Sequence, residues 1–330
     1  MWRSGSAVLT LLAGTGAAWA EVPRVAADIT PVHGLVARVM QDLGEPALVV
    51  PTGASPHGYS MRPSEARALD QADVVFWLGE PLTPWLQGPL EELAGDAHRV
   101  ELLEAEGTVV LPFREGARFE AHAHDGDEED HADHDGHDAH EDHEDDAEED
   151  DHSGDHGDHN DGADPHAWLL PANAQAWLDV IAEELAEHDP GNAAVYMANA
   201  EVGKKEIADT VASVSAALEP FRAKQFIVFH DAYQYFERGF GLNAAGAISI
   251  SDASKPGPAR IAEVRGVVAD LKVACVFSEP QFNPGMVATV LDGTGAGTAV
   301  LDPLGAKLEA GPRFYPALLQ DIGAAIAGCE

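Results

Sequence analysis

Basic residues are scarce in this chain: 19 Lys and Arg stand against 57 Asp and Glu in 330 residues, a formal net charge of −38 with histidine neutral. Phosphate binding needs a basic face, so this balance argues against a nucleic-acid partner. Cysteine is nearly absent. Cys275 and Cys329 are the only two, and neither belongs to a CxxC pair, which argues against a cysteine-based zinc site. Long apolar runs are missing too: no segment approaches the roughly 20 apolar residues that span a bilayer. No HExxH or other metallohydrolase signature occurs.

The first twenty residues read as an export signal. Arg3 supplies a positive start, 7–13 is a short apolar run, and Ala18-Trp19-Ala20 offers a small-x-small cleavage site before Glu21. A signal peptide over 1–20, cleaved after Ala20, predicts a soluble exported protein, and the lack of cysteine at that point argues against a lipid anchor. Export puts the two cysteines in an oxidising compartment, where their simplest fate is one Cys275–Cys329 disulfide. Closing a loop of about 55 residues is worth roughly 4 kcal/mol by loop-closure entropy.

Histidine is what the chain has in unusual supply. Ten of its sixteen histidines fall within 120–164: His122, His124, His131, His134, His137, His140, His143, His152, His156 and His159. The same stretch carries twenty-two acids and no Lys or Arg, so the rest of the chain is only moderately acidic at −16. Acidity alone predicts a disordered, solvated insertion. Histidine at every third residue from His131 to His143 adds something a spacer does not need, and points to an auxiliary tract of weak metal sites.

Outside the tract, apolar strand-like runs alternate with helical stretches. The runs are 24–29, 47–50, 74–78 and 99–103 before it, then 226–229, 244–248, 273–277 and 299–301 after it. Such alternation predicts an α/β fold of two lobes, each with a mainly parallel sheet flanked by helices. Residues 192–218 show apolar residues at helical spacing, including Val195, Val202, Ile207, Val211, Val214 and Leu218, without strand signals. The expected organisation is a signal peptide at 1–20, a first lobe at 21–190 holding the insertion 120–164, a rigid linking helix at 191–219, and a second lobe at 220–330.

Ligands of open α/β sheets bind beyond the carboxyl ends of strands, so residues just after apolar runs are candidates. His57 follows 47–50 through a turn-rich loop, His230 ends 226–229, Asp302 ends 299–301, and His166 stands where the acidic tract gives way to apolar sequence. Drawn from both lobes, they could enclose one metal in an interlobe cleft. His33, His98 and His188 read as structural.

Several phrases carry a family resemblance: GASPHGYSMRPSE at 53–65, DPHAWL at 164–169, FHDAYQYFE at 229–237, CVFSEPQF at 275–282 and LDPLG at 301–305. Together, and in this order, they resemble the ZnuA-type zinc-receptor branch of the metal-binding solute receptors that serve ABC importers. The resemblance implies two α/β lobes joined by one rigid helix, with a metal held between them and delivered to an inner-membrane ABC permease driven by a cytoplasmic ATPase. It implies periplasmic location, a monomeric receptor, an auxiliary zinc chaperone as a further partner, and His57, His166 and His230 as ligands. Some relatives place a glutamate directly before the first histidine, but Pro56 stands there in this chain. Asp302 matches a position where manganese receptors use an aspartate, and is either the fourth ligand, a support behind the ligands, or replaced by water.

Three imidazoles suit Zn2+, whereas manganese favours more carboxylate oxygen. Two other readings start from the same residues. Three histidines with an open position is also the pattern of a zinc hydrolase with a nucleophilic bound water, for which Glu279 is the nearest general base. A receptor for manganese or another divalent metal is the second. A third reading, a buffering protein that uses only the tract, leaves the histidines at strand ends unexplained.

Overall fold

The computed structural model describes residues 22–114, 118–119, 162–249 and 256–329. The amino-terminal half of the chain runs β1 (Val25–Ala27), α1 (Thr30–Met40), β2 (Ala47–Leu48), α2 (Pro63–Asp70), β3 (Val74–Trp77), α3 (Gln87–Leu93) and β4 (His98–Glu101). All pairs in this sheet are parallel, in the order β2-β1-β3-β4. The β3 sequence Val-Val-Phe-Trp is buried along its whole length, because helices cover both faces and every side chain needs an apolar partner.

A two-residue antiparallel pair follows, β5 (Leu111–Pro112) with β6 (Ala163–Asp164), which brings together the two chain ends that flank the His-rich tract. The ten tract histidines themselves lie outside the described residues, as does the proposed signal peptide. Helices α4 (Pro171–His188) and α5 (Ala193–Leu218) then lead to the second sheet.

That second unit runs β7 (Phe226–His230), α6 (Gln234–Phe240), β8 (Ala244–Ser249), α7 (Pro258–Leu271), β9 (Cys275–Ser278), α8 (Pro284–Leu291), β10 (Gly297–Val300) and α9 (Phe314–Ala327). Its sheet is again parallel, in the order β10-β9-β7-β8. Cys275 and Cys329 are disulfide-bonded with Cα atoms 6.2 Å apart, tying β9 to the end of α9.

Helix α5 is 26 residues long, about 39 Å at 1.5 Å per residue. It packs on α1, α4 and α9, so one apolar core runs continuously from the first sheet to the second. Its buried face is not the one expected from Val195 and Val202, which are exposed at 42% and 47%. The inward stripe is Tyr196, Ala200, Gly203, Ile207, Thr210, Val214 and Leu218. Within it, Gly203 stands where the neighbouring helices come close. A Cβ on Gly203 would stand 2.9 Å from Leu178 Cδ1. Among the described residues no helix is long and apolar enough to cross a membrane.

Candidate metal centre

His57, His166 and His230 line one small cavity between the two sheets, with Pro56, Trp168, Glu279, Phe282, Pro303 and Leu304 among the other walls. The space left is about 10 Å³, room for one water-sized particle and no organic ligand. His166 is the middle ring. Its centroid lies 5.4 Å from that of His57 and 5.3 Å from that of His230. Zinc–nitrogen bonds of about 2.0–2.1 Å in a tetrahedral set place imidazole centroids about 5 Å apart, so the spacing fits one shared ion.

Each histidine is held by a different device. The loop that carries His57 is pinned by Trp85, whose Nε1 donates to the Pro56 carbonyl at 2.7 Å, and by Glu65 of α2. The Glu65 carboxylate accepts from the Tyr59 hydroxyl at 2.9 Å and from the Arg62 backbone N–H at 2.6 Å. A glutamate at the third position of a helix reaching back to the preceding backbone is a common N-terminal device, and here it fixes the outer end of the loop that carries His57.

His166 follows β6. Asp164 Oδ1 accepts from the His166 backbone N–H at 3.0 Å and faces its Nδ1 at 2.7 Å. Burial pushes the Asp164 carboxyl up to about 7, opposed by the His166 backbone N–H and by the charges of Arg114 and His230. Trp168 lies under the His166 ring and donates its Nε1 hydrogen to the Pro303 carbonyl at 2.8 Å, which stitches the first half of the chain to the second directly below the cavity.

His230 is the last residue of β7. Glu279, the residue after β9, accepts from the His230 backbone N–H at 3.2 Å and faces its Nδ1 at 2.7 Å. Both buried histidines thus present Nδ1 to a buried carboxylate, which leaves Nε2 as the nitrogen for a ligand. The sequence alone points to neither partnership.

Behind Asp164 sits a buried ion cluster. Arg114 is bound by Asp231 and by Glu237, the latter at 2.8 Å, and its guanidinium lies 3.9 Å from the centre of the Phe119 ring. Burial opposes the Arg114 charge, but its two carboxylate partners outweigh burial and raise its pKa. The cluster ties the segment before the tract to β7 and α6.

Asp302 does not line the cavity. Its carboxylate accepts three backbone N–H groups, Leu304 at 3.1 Å, Gly305 at 3.0 Å and Ala306 at 2.7 Å, and so shapes the turn that carries Pro303 and Leu304 to the cavity wall. Gly305 is required there: its φ is +63° and a Cβ would meet Phe314 Cζ at 2.7 Å. His33 is structural as expected, with Nε2 3.0 Å from the Pro46 carbonyl. His98 and His188 are not solitary: their ring centroids lie 5.4 Å apart.

The family model for ZnuA, described as the periplasmic component A of a zinc-uptake complex, matches residues 25–329. The chain belongs to the ZnuA family. It is 47% identical over 305 residues to the high-affinity zinc uptake system protein ZnuA of Brucella abortus, covering 92% of this chain and 91% of the relative. Against ZnuA of Paracoccus denitrificans the identity is 47% over 335 residues, covering 100% and 99%. A ZnuA crystal structure superposes with a TM-score of 0.71 at 22% identity, covering 93% of this chain and 98% of that one, which bears out the α/β fold with two parallel sheets.

Proposed function

We propose that this ZnuA-family chain captures one zinc ion in the periplasm and delivers it to an ABC permease with a cytoplasmic ATPase. The observation that carries the reading is the convergence of the His57, His166 and His230 rings on a cavity sized for a single ion. Nitrogen-rich donors favour zinc over manganese, and the carboxylates behind His166 and His230 raise the basicity of both rings. His57, His166 and His230 are the ligands in this reading. Asp302 acts from behind, as the organiser of the 303–306 turn.

Zinc is cargo here, not a catalyst. Glu279, the nearest candidate for a general base, is engaged by His230 and so serves to aim a ligand. The same reading includes export with cleavage after Ala20, lobes at 21–190 and 220–330 joined at 191–219, action as a monomer, an auxiliary zinc chaperone, and a metal-collecting role for the His-rich tract. In a strain lacking the chain, zinc uptake at low external zinc should fall. The wild-type sequence should restore it and His166→Ala should not. Full restoration by His166→Ala would overturn the reading.

A further inference from the structure

His98 and His188 were expected to be structural, yet the fold brings them to one point with Glu184. Among the described residues, these three form a group whose metal-ligating atoms all lie within 4.8 Å of one another. His98 Nε2 is 2.9 Å from Glu184 Oε2, and the His98 and His188 ring centroids are 5.4 Å apart. Glu184 and His188 stand four residues apart on α4, hence on one helix face, and His98 opens β4 beside them.

We propose that His98, Glu184 and His188 form a second cation site, built for a single borderline divalent ion such as zinc. Two imidazoles and one carboxylate are a donor set that zinc accepts with its fourth position open to water. Tetrahedral bonds of about 2.0–2.1 Å need donors about 3.3 Å apart, a small adjustment for side chains that are 48% exposed at His98 and 26% at Glu184. The surroundings favour a cation. A groove beside the cluster is lined by Glu91, Glu101, Glu104 and Glu183 as well as Glu184, against one Arg99. Arg24, which lines a neighbouring pocket with His188, is paired with Asp73 at 2.8 Å.

His98 pairs with Val74 at the start of β3, so the cluster sits at the amino ends of the parallel strands. The interlobe cavity lies beyond the carboxyl ends. The two sites are therefore on opposite ends of the first sheet, and the proposal does not rest on the transport reading. A bound ion would clip β4 to the end of α4. Exposure on water makes it the weaker of the two.

The test is histidine modification by diethyl pyrocarbonate in the full, metal-free chain during titration with zinc chloride, mapped by peptide mass spectrometry. His98 and His188 should lose reactivity together, after the tight site fills. In Glu184→Gln and His98→Ala, both at exposed or half-exposed positions, His188 should stay reactive at the same zinc concentration while circular dichroism and the tight stoichiometry are unchanged. Magnesium should protect neither, because it avoids imidazole. Persistent reactivity of His98 or His188 at zinc levels that protect the tract histidines would overturn the proposal. So would equal protection by magnesium, or undiminished protection of His188 in His98→Ala.

Discussion

Glu279 Oε1 lies 2.7 Å from His230 Nδ1, although 49 residues separate the two in sequence. Both are buried, at 3% and 4% exposure, so the contact is sheltered from water. A carboxylate behind a ligating imidazole fixes its orientation and strengthens it as a donor, and losing one costs about 10- to 100-fold in metal affinity. Glu279→Gln should therefore weaken zinc binding by about that factor in chelator competition, with the stoichiometry of one tight ion kept. Unchanged affinity would mean that Glu279 only fills space.

Reducing the Cys275–Cys329 bond should lower stability without releasing the ion. The bond closes a loop across 54 residues and joins β9 to the end of α9, remote from the cavity walls. Urea unfolding should show a loss of up to roughly 4 kcal/mol, since engineered and natural bridges often deliver less than loop entropy alone. Loss of the tight ion on reduction would contradict this separation of fold support from metal binding.

Stability of the metal-free protein should fall as pH rises from about 4 to about 7. Burial raises the carboxyl of Asp28 to about 7 and that of Asp231 to about 6, both from 3.8. Between the unfolded and folded values the native state binds protons that the unfolded chain has released, so the stability from these groups is present below 3.8 and lost through this window. Asp28 directly follows β1 and accepts from the backbone N–H groups of Ile29 and Leu78. Asp28→Asn should flatten the fall in urea midpoint between about pH 4 and about pH 7. The same fall in both proteins would contradict the assignment.

Deleting 122–159 should remove several weak zinc sites and spare the tight one. Apart from alanine, 122–159 has no apolar residue to bury, so its composition predicts weaker sites than an enclosed cavity offers. Equilibrium dialysis with and without the tract counts both classes. Loss of the tight class in a folded deletion protein would show that the tract supplies its ligands.

The candidate ligands were legible in the sequence because a parallel sheet presents its ligands at the carboxyl ends of strands: His57 follows such a run through a turn-rich loop and His230 ends one. Glu279 was visible as a residue but not as a partner of His230. That pairing depends on β7 lying beside β9 in the sheet, an order created by crossovers that local patterns do not encode. The β5–β6 pair is two residues long on each side, too short to give a periodic signal. On α5, Ile207, Val214 and Leu218 face inward as their spacing predicts, whereas Val195 and Val202 face out. At the amino-terminal part of α5 the close approach of α4 and α1 favours Gly203 on the inward side, a contact that local spacing does not reveal. His98 and His188 looked structural since their meeting joins a strand start to a helix end 90 positions later.

The most direct test of the central claim is zinc affinity, by chelator competition, of the metal-free protein carrying His57→Ala, His166→Ala or His230→Ala in turn. If the three rings hold one ion, each substitution removes a bond and leaves an under-coordinated metal, so the tight class should be lost or severely weakened in all three while the fold persists by circular dichroism. Tight binding that survives unchanged in any one of them would contradict a shared three-histidine site.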